Sequence, residues 1–112
     1  MVKRVCIYSL PKGTNGDEFW HWHTKIHSQD ILRNSRGKCK KYVVNRVTKV
    51  VRGEELCWGF VETWWESAEA AEQVFESWKD IKLPDGLTIA EDWWNRIIKG
   101  FSFEVEEYTV KV

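Results

Sequence analysis

The sequence predicts an α+β domain of ferredoxin-like order, β-α-β-β-α-(α)-β, and three observations carry that reading. Runs rich in β-branched and aromatic residues stand at the start, in the middle and at the end of the chain. Two longer segments between them repeat their apolar residues at helical spacing. Turn sequences built on Gly, Pro, Asn and Asp punctuate the joints.

Val2 to Leu10 is the first strand, stopped by Pro11-Lys12-Gly13. Asn15 followed by Glu18 forms a capping-box signature, and the helix it opens runs from about Gly16 to Arg33, with Phe19, Trp22, Ile26 and Leu32 near one stripe. The polar break Asn34-Ser35-Arg36-Gly37 ends it. Tyr42 to Val51 and Glu54 to Trp65 alternate, with Gly53 between them, and read as an antiparallel hairpin. In its second arm Leu56, Trp58, Phe60, Glu62 and Trp64 share one face, and Cys57, Gly59, Val61, Thr63 and Trp65 the other. Both faces are largely apolar, so one needs a cover beyond the chain's own helices, and a second subunit supplies it in this reading. Ser67 caps a second helix in which Ala68, Ala71, Val74, Phe75 and Trp78 recur. After Leu83-Pro84-Asp85-Gly86, Thr88 and Glu91 open a short third helix with Ile89, Trp93 and Ile97 on one side. Phe101 to Val112 is the closing strand.

Composition narrows the functional classes. No composition shift or spacer divides the 112 residues, so residues 1–112 read as one domain. Acidic and basic residues balance at 17 each and are mixed along the chain, which leaves no electrostatic footprint for nucleic acid or an anionic membrane. Met1 to Leu10 is too short and too polar for a signal peptide, and no apolar run nears the ~18 residues of a membrane span, so a cytoplasmic location is expected. Cys6, Cys39 and Cys57 lack CxxC spacing and read as reduced thiols. Eight tryptophans are more than a thin core hides easily; their wide faces suit a ligand pocket or a subunit interface.

The sequence resembles the EthD family of the dimeric α+β barrel superfamily. Phe19, Trp22 and His27 match the family pattern on the first helix, and His23 stands where the family usually has tryptophan. Gly37 with Tyr42-Val43-Val44-Asn45-Arg46-Val47 resembles its second strand, and the stretch from Gly59 to Ser67 its third strand and the entry to the next helix. Phe103 to Tyr108 resembles its last strand, so the likeness spans nearly the whole chain. It implies a dimeric αβ-barrel, that is, a homodimer with facing four-stranded sheets and a pocket between each sheet and its helices. It also implies small, often aromatic or polyketide-like ligands, in proteins that range from decarboxylases, cyclases and isomerases to cofactor-free monooxygenases. A fold does not by itself choose among these.

His23 and His27, four residues apart, stack on one helical face about 6 Å apart, on the side that carries Trp20 and Ile31. One imidazole would serve as general base and the other as general acid. The alternative is a polar surface residue beside a packing residue. The spacing also suits a metal, with Glu62 or another carboxylate completing the site, but Thr24 follows His23 where a zinc-protease helix has glutamate. Tyr42 and Asn45 lie on opposite faces of a regular strand, and Tyr42 is placed to hold a developing enolate oxygen. Glu62, between Phe60 and Trp64, is a candidate acid or base whose pKa rises if its face is covered. Of the adjacent pairs Trp64-Trp65 and Trp93-Trp94, one member of each lines the pocket; Trp64, Trp65 and Trp94 are taken as substrate-binding, with Trp20 and Asn45. No GxSxG is present and no cysteine has a special setting, which argues against a nucleophilic mechanism. The expected function is a cofactor-independent lyase or isomerase of a small apolar carbonyl compound, with His27 as principal acid-base residue, His23 and Tyr42 assisting, and no bound metal. A haem protein with His27 as axial ligand and a non-catalytic carrier are the alternatives.

Overall fold

The computed structural model describes residues 1–112. Strand β1 (Val2–Ser9) leads into helix α1 (Gly16–Trp22), which runs without a break through a π-helical turn (His23–His27) into α2 (Ser28–Arg33). Strands β2 (Cys39–Arg46) and β3 (Gly59–Trp65), helices α3 (Ala68–Ser77) and α4 (Ile89–Trp94), and strand β4 (Ile98–Val105) follow. The sheet is antiparallel with order β2-β3-β1-β4, so the two central strands are β3 and β1. No helix is long and apolar enough to cross a membrane.

Cross-strand partners share a face, so the register sorts every side chain. Tyr42, Thr63, Arg4 and Glu104 form one row across all four strands, and Val44, Val61, Cys6 and Ser102 form the next. These rows face the helices; Val61, Thr63, Trp65 and Tyr8 on that side are buried. The opposite face carries Lys3, Val5, Ile7, Val43, Phe60, Trp64, Phe101 and Phe103, and no helix covers it. Phe101 is 61% exposed and Phe103 44%.

The helix signals are realised where they were read. Asn15 accepts from the Glu18 N–H, Ser67 from the Ala70 N–H, and Thr88 and Glu91 complete a reciprocal capping box. The strands differ at their ends. Residues 47–58 are not strand, although the Val47 N–H still bonds to the Trp58 carbonyl; Val51 and Leu56 lie exposed there, with neither a third strand nor a helix to reward an extended conformation. Gly53, at φ +86°, turns the loop. Trp58 leaves the alternation and packs edge-on against Phe19 at 5.3 Å, on the helix side. The last strand begins three residues earlier than expected, because a register shift between Ile7 and Ser9 and a left-handed Lys99 (φ +50°) bring Ile98 into pairing. It ends at Val105, opposite Lys3, where β1 itself is about to run out.

Tyr8, Phe19, Trp22, Val61 and Ile97 form one core cluster, and Trp65, Ala71 and Val74 a second. Gly59 joins the first to the sheet. A Cβ there would lie 2.6 Å from the Asn45 carbonyl oxygen and 2.9 Å from the Tyr8 hydroxyl, so only glycine lets that phenol cross β3. Gly59→Ala is expected to destabilise the fold by about 1–3 kcal/mol, the usual cost of overpacking. Urea titration measures this, and an unchanged midpoint would contradict the close approach.

Candidate active site

The first helix sets the site through its wide turn. The π segment begins at His23 and ends at His27, and the backbone N–H at its end returns to the His23 carbonyl. Widening a turn frees carbonyls from their usual partners. Two hydroxyls supply replacements: Thr24 Oγ1 donates to the Trp20 carbonyl at 2.8 Å, and Ser28 Oγ to the Thr24 carbonyl at 2.7 Å. Both histidines then point inward, with ring centroids 5.5 Å apart.

His23 is fully buried between two phenols. Its Nε2 lies 3.1 Å from the Tyr42 hydroxyl and its Nδ1 3.4 Å from the Tyr8 hydroxyl. A neutral imidazole has one donor and one acceptor, so this chain is satisfied with the ring uncharged. His27 is also buried, its ring nearly parallel to those of Trp22 at 4.7 Å and Trp93 at 5.2 Å, but its Nδ1 has no hydrogen-bond partner. Burial lowers the His23 pKa to about 4. For His27, burial first, then His23 and Arg96, lower it to about 3. Burial drives both tyrosine hydroxyls far above their ordinary value, so they stay protonated.

His27 and Tyr42 open onto a cavity of about 530 Å³ between the helix-facing side of the sheet and helices α2, α3 and α4. Trp65, Phe75, Trp78, Trp93 and Trp94 supply its aromatic walls, and Cys6, Thr63 and Ser102 line it from the sheet. Arg4, Glu72, Lys79 and Glu104 add charged groups. This volume and lining suit a small, largely apolar molecule.

Of the residues singled out by sequence, the structure brings together His23, His27 and Tyr42, and places Trp65 and Trp94 on the same cavity. It does not bring Glu62, Asn45 or Trp64 there. All three lie on the outer face, because the register puts them opposite Val43, Phe60 and Lys41 rather than beside Thr63. Glu62 accepts from Asn45 Nδ2 at 2.9 Å and pairs with Lys3 at 2.8 Å. Its expected rise in pKa is reversed: the Lys3 ammonium holds the carboxyl below its usual value and outweighs desolvation. Glu62 is therefore not placed to join the histidines as a metal ligand. Trp64 donates to Glu107 at 3.3 Å, with the Lys3 and Lys41 ammonium groups each 4.6 Å from its ring. Trp20 is half-buried beside Trp58 and away from the cavity.

Sequence reasoning missed Tyr8 and Trp93. The alternation of β1 puts Tyr8 on the face of Cys6, and the stripe Ile89, Trp93, Ile97 already aims Trp93 inward, so both signals were present.

An antiparallel four-stranded sheet with helices packed on one face matches the EthD-like α+β barrel fold. Two proteins are among those whose solved structures share it. The protein At3g17210 from Arabidopsis thaliana superimposes with a TM-score of 0.72 in its crystal structure, at 13% identity over 100% of both chains. Its solution structure gives 0.68, at 14% identity over 99% of this chain and 91% of that one. An ethyl tert-butyl ether D (EthD) family protein, bh0200 from Bacillus halodurans C-125, gives 0.67, at 19% identity over 96% of this chain and 99% of that one. No family model matches the sequence, and no curated protein does either.

The two depressed histidines bear on stability. Unfolded, each would bind a proton near pH 6.5, whereas folded they stay neutral down to about 4 and 3. Unfolding therefore takes up protons below pH 6.5, and the stability present above that pH is lost as pH falls. Between pH 6 and 5 the unfolding free energy is expected to drop by about 1.2 kcal/mol for each histidine, a little under the one-proton limit because the unfolded ring is already mostly protonated at pH 6. His23→Asn should remove about half of the slope, as denaturant titration at stepped pH would reveal; a flat profile would contradict the burial of both rings.

Proposed function

We propose that this protein is a cofactor-independent lyase or isomerase that acts by acid-base chemistry on a small apolar carbonyl compound of aromatic or polyketide-like character. The observation that carries this reading is that buried His27, whose Nδ1 has no hydrogen-bond partner, lines an apolar cavity together with Tyr42.

The proton states are complementary at neutral pH. Tyr42 is a protonated donor for a carbonyl oxygen, and His27 a neutral acceptor for a proton from the adjacent carbon. Alone in this setting an imidazolium is costly, as the low pKa of His27 records. It forms here only with an enolate beside it, so each charge stabilises the other while water is largely excluded. His23, bonded to Tyr42, orients that hydroxyl and itself remains uncharged. Return of the proton to a different carbon completes an isomerisation; attack of the enolate on a second carbonyl, with the His27 proton passing to the new alkoxide, completes a cyclisation, and expulsion of a leaving group that takes that proton completes an elimination. A non-catalytic binding protein would use the same walls without needing either proton state.

The proton-transfer step can be tested without knowing the substrate. In D₂O, wild-type protein should speed exchange of the methyl protons of an aryl methyl ketone, followed by NMR. His27→Gln is expected to lose about 10²-fold or more of that rate, the usual worth of a positioned base. Tyr42→Phe should lose a comparable factor through its oxyanion contact. Equal exchange in wild type and His27→Gln would sink this mechanism, and ketone binding without exchange would favour the carrier.

We also propose that the outer sheet face packs on that of a second copy. Support comes from the exposed Phe101 and Phe103 beside Val5, Ile7, Val43 and Phe60 on a face without a helix. Light scattering should give twice the 13.3 kDa chain mass at micromolar concentration, and Phe101→Glu should shift it to the monomer. A wild-type monomer would overturn the interface.

A further inference from the structure

We infer that the cavity selects uncharged ligands, and that Glu72 and Glu104 enforce this by occupying Arg4, the guanidinium on its floor. The inference rests on the reading of the cavity as a ligand site and narrows what that site accepts.

Arg4 lies in the same cross-sheet row as Tyr42, two strands away, or roughly 10 Å at the usual strand spacing. A carbonyl compound held at Tyr42 and His27 would therefore extend toward it along the aromatic wall. Left free, Arg4 would be a ready partner for a carboxylate at the far end of such a molecule. It is not free. Its Nη1 pairs with Glu72 at 2.6 Å, and its Nε and Nη2 both donate to Glu104 Oε1 at 3.2 Å. Its guanidinium also lies over the Phe75 ring at 5.4 Å. Two carboxylates on one guanidinium leave a local excess of negative charge. The other cation on the cavity wall, Lys79, is paired with Glu76 at 2.5 Å. At the opposite end the histidines and tyrosines are uncharged at neutral pH. An entering carboxylate would lose its hydration and meet repulsion from Glu72 and Glu104, with no unpaired cation in return. A ketone or ester loses far less and gains the same aromatic contacts.

The chemical consequence falls on the reaction type. Decarboxylation requires a bound free carboxylate, whereas isomerisation, cyclisation and elimination of neutral carbonyl compounds do not. The masked Arg4 thus favours the latter group for this protein.

The test uses a matched pair, methyl 2-naphthoate and 2-naphthoate, titrated at pH 7.5 by calorimetry. Wild-type protein should bind the ester at least about ten-fold more tightly than the acid, the scale of a like-charge penalty near a protein surface. Glu72→Gln with Glu104→Gln should tighten acid binding about ten-fold while ester binding stays within about two-fold, the latter also reporting an intact fold. Equal affinity of wild type for the two probes, or no gain for the acid in the double variant with ester binding preserved, overturns the selectivity alone. Failure of both probes to bind wild-type protein removes the ligand site, and with it this inference and the catalytic reading together. Loss of ester binding in the double variant would also overturn the inference, because the two glutamates would then be holding the pocket rather than screening it.

Discussion

The structure hangs on one buried imidazole. His23 lies between the hydroxyls of Tyr8 and Tyr42, which belong to strands separated by β3, so a single ring fastens the first helix across three strands of the sheet. Burying a polar ring without partners would cost several kcal/mol, and two hydroxyls offset that cost while keeping the ring neutral. Other features follow from this contact. Gly59 has to be bare where the Tyr8 phenol passes, and the helix has to approach the sheet closely enough for Phe19 and Trp22 to share the core with Tyr8.

His27 inherits its position from the same arrangement. One turn beyond His23, it lies against two indoles that leave its Nδ1 without a partner, which distinguishes a satisfied histidine from an unsatisfied one. Between the helix and the sheet the buried polar rings are neutral, Asp92 is buried but paired with Arg96, and other charges stand at the cavity's border or on the outer face, where Lys3 ties Glu62 to Glu107.

Much of this was legible in the sequence. Caps at Asn15, Ser67 and Thr88 marked the helix starts, and strand alternation separated Val61, Thr63 and Trp65 from Phe60, Glu62 and Trp64. The same alternation, followed across strand partners, would have parted Glu62 and Asn45 from the histidines, but cross-strand register is a long-range property that local pattern does not supply. The limits of the hairpin were unreadable for a related reason: Val50, Val51 and Leu56 have strand composition, yet tertiary partners decide whether they pair. Trp58 was misassigned because alternation stops where the strand does. The wide turn left only a faint trace, in the hydroxyls of Thr24 and Ser28 spaced to catch stray carbonyls.

That wide turn also fixes the phase between the two halves of the first helix. Removing a single residue from it would restore regular α-helical winding and rotate everything before it by about 100° relative to everything after. Phe19 and Trp22 would swing out of the core while Ile31 stayed in place. The extra residue therefore acts as a rotational offset: a chain that carries it can exchange exposed side chains on either half, but cannot shed it without rebuilding the helix-sheet interface. Length in this segment is constrained as tightly as the identity of its buried residues.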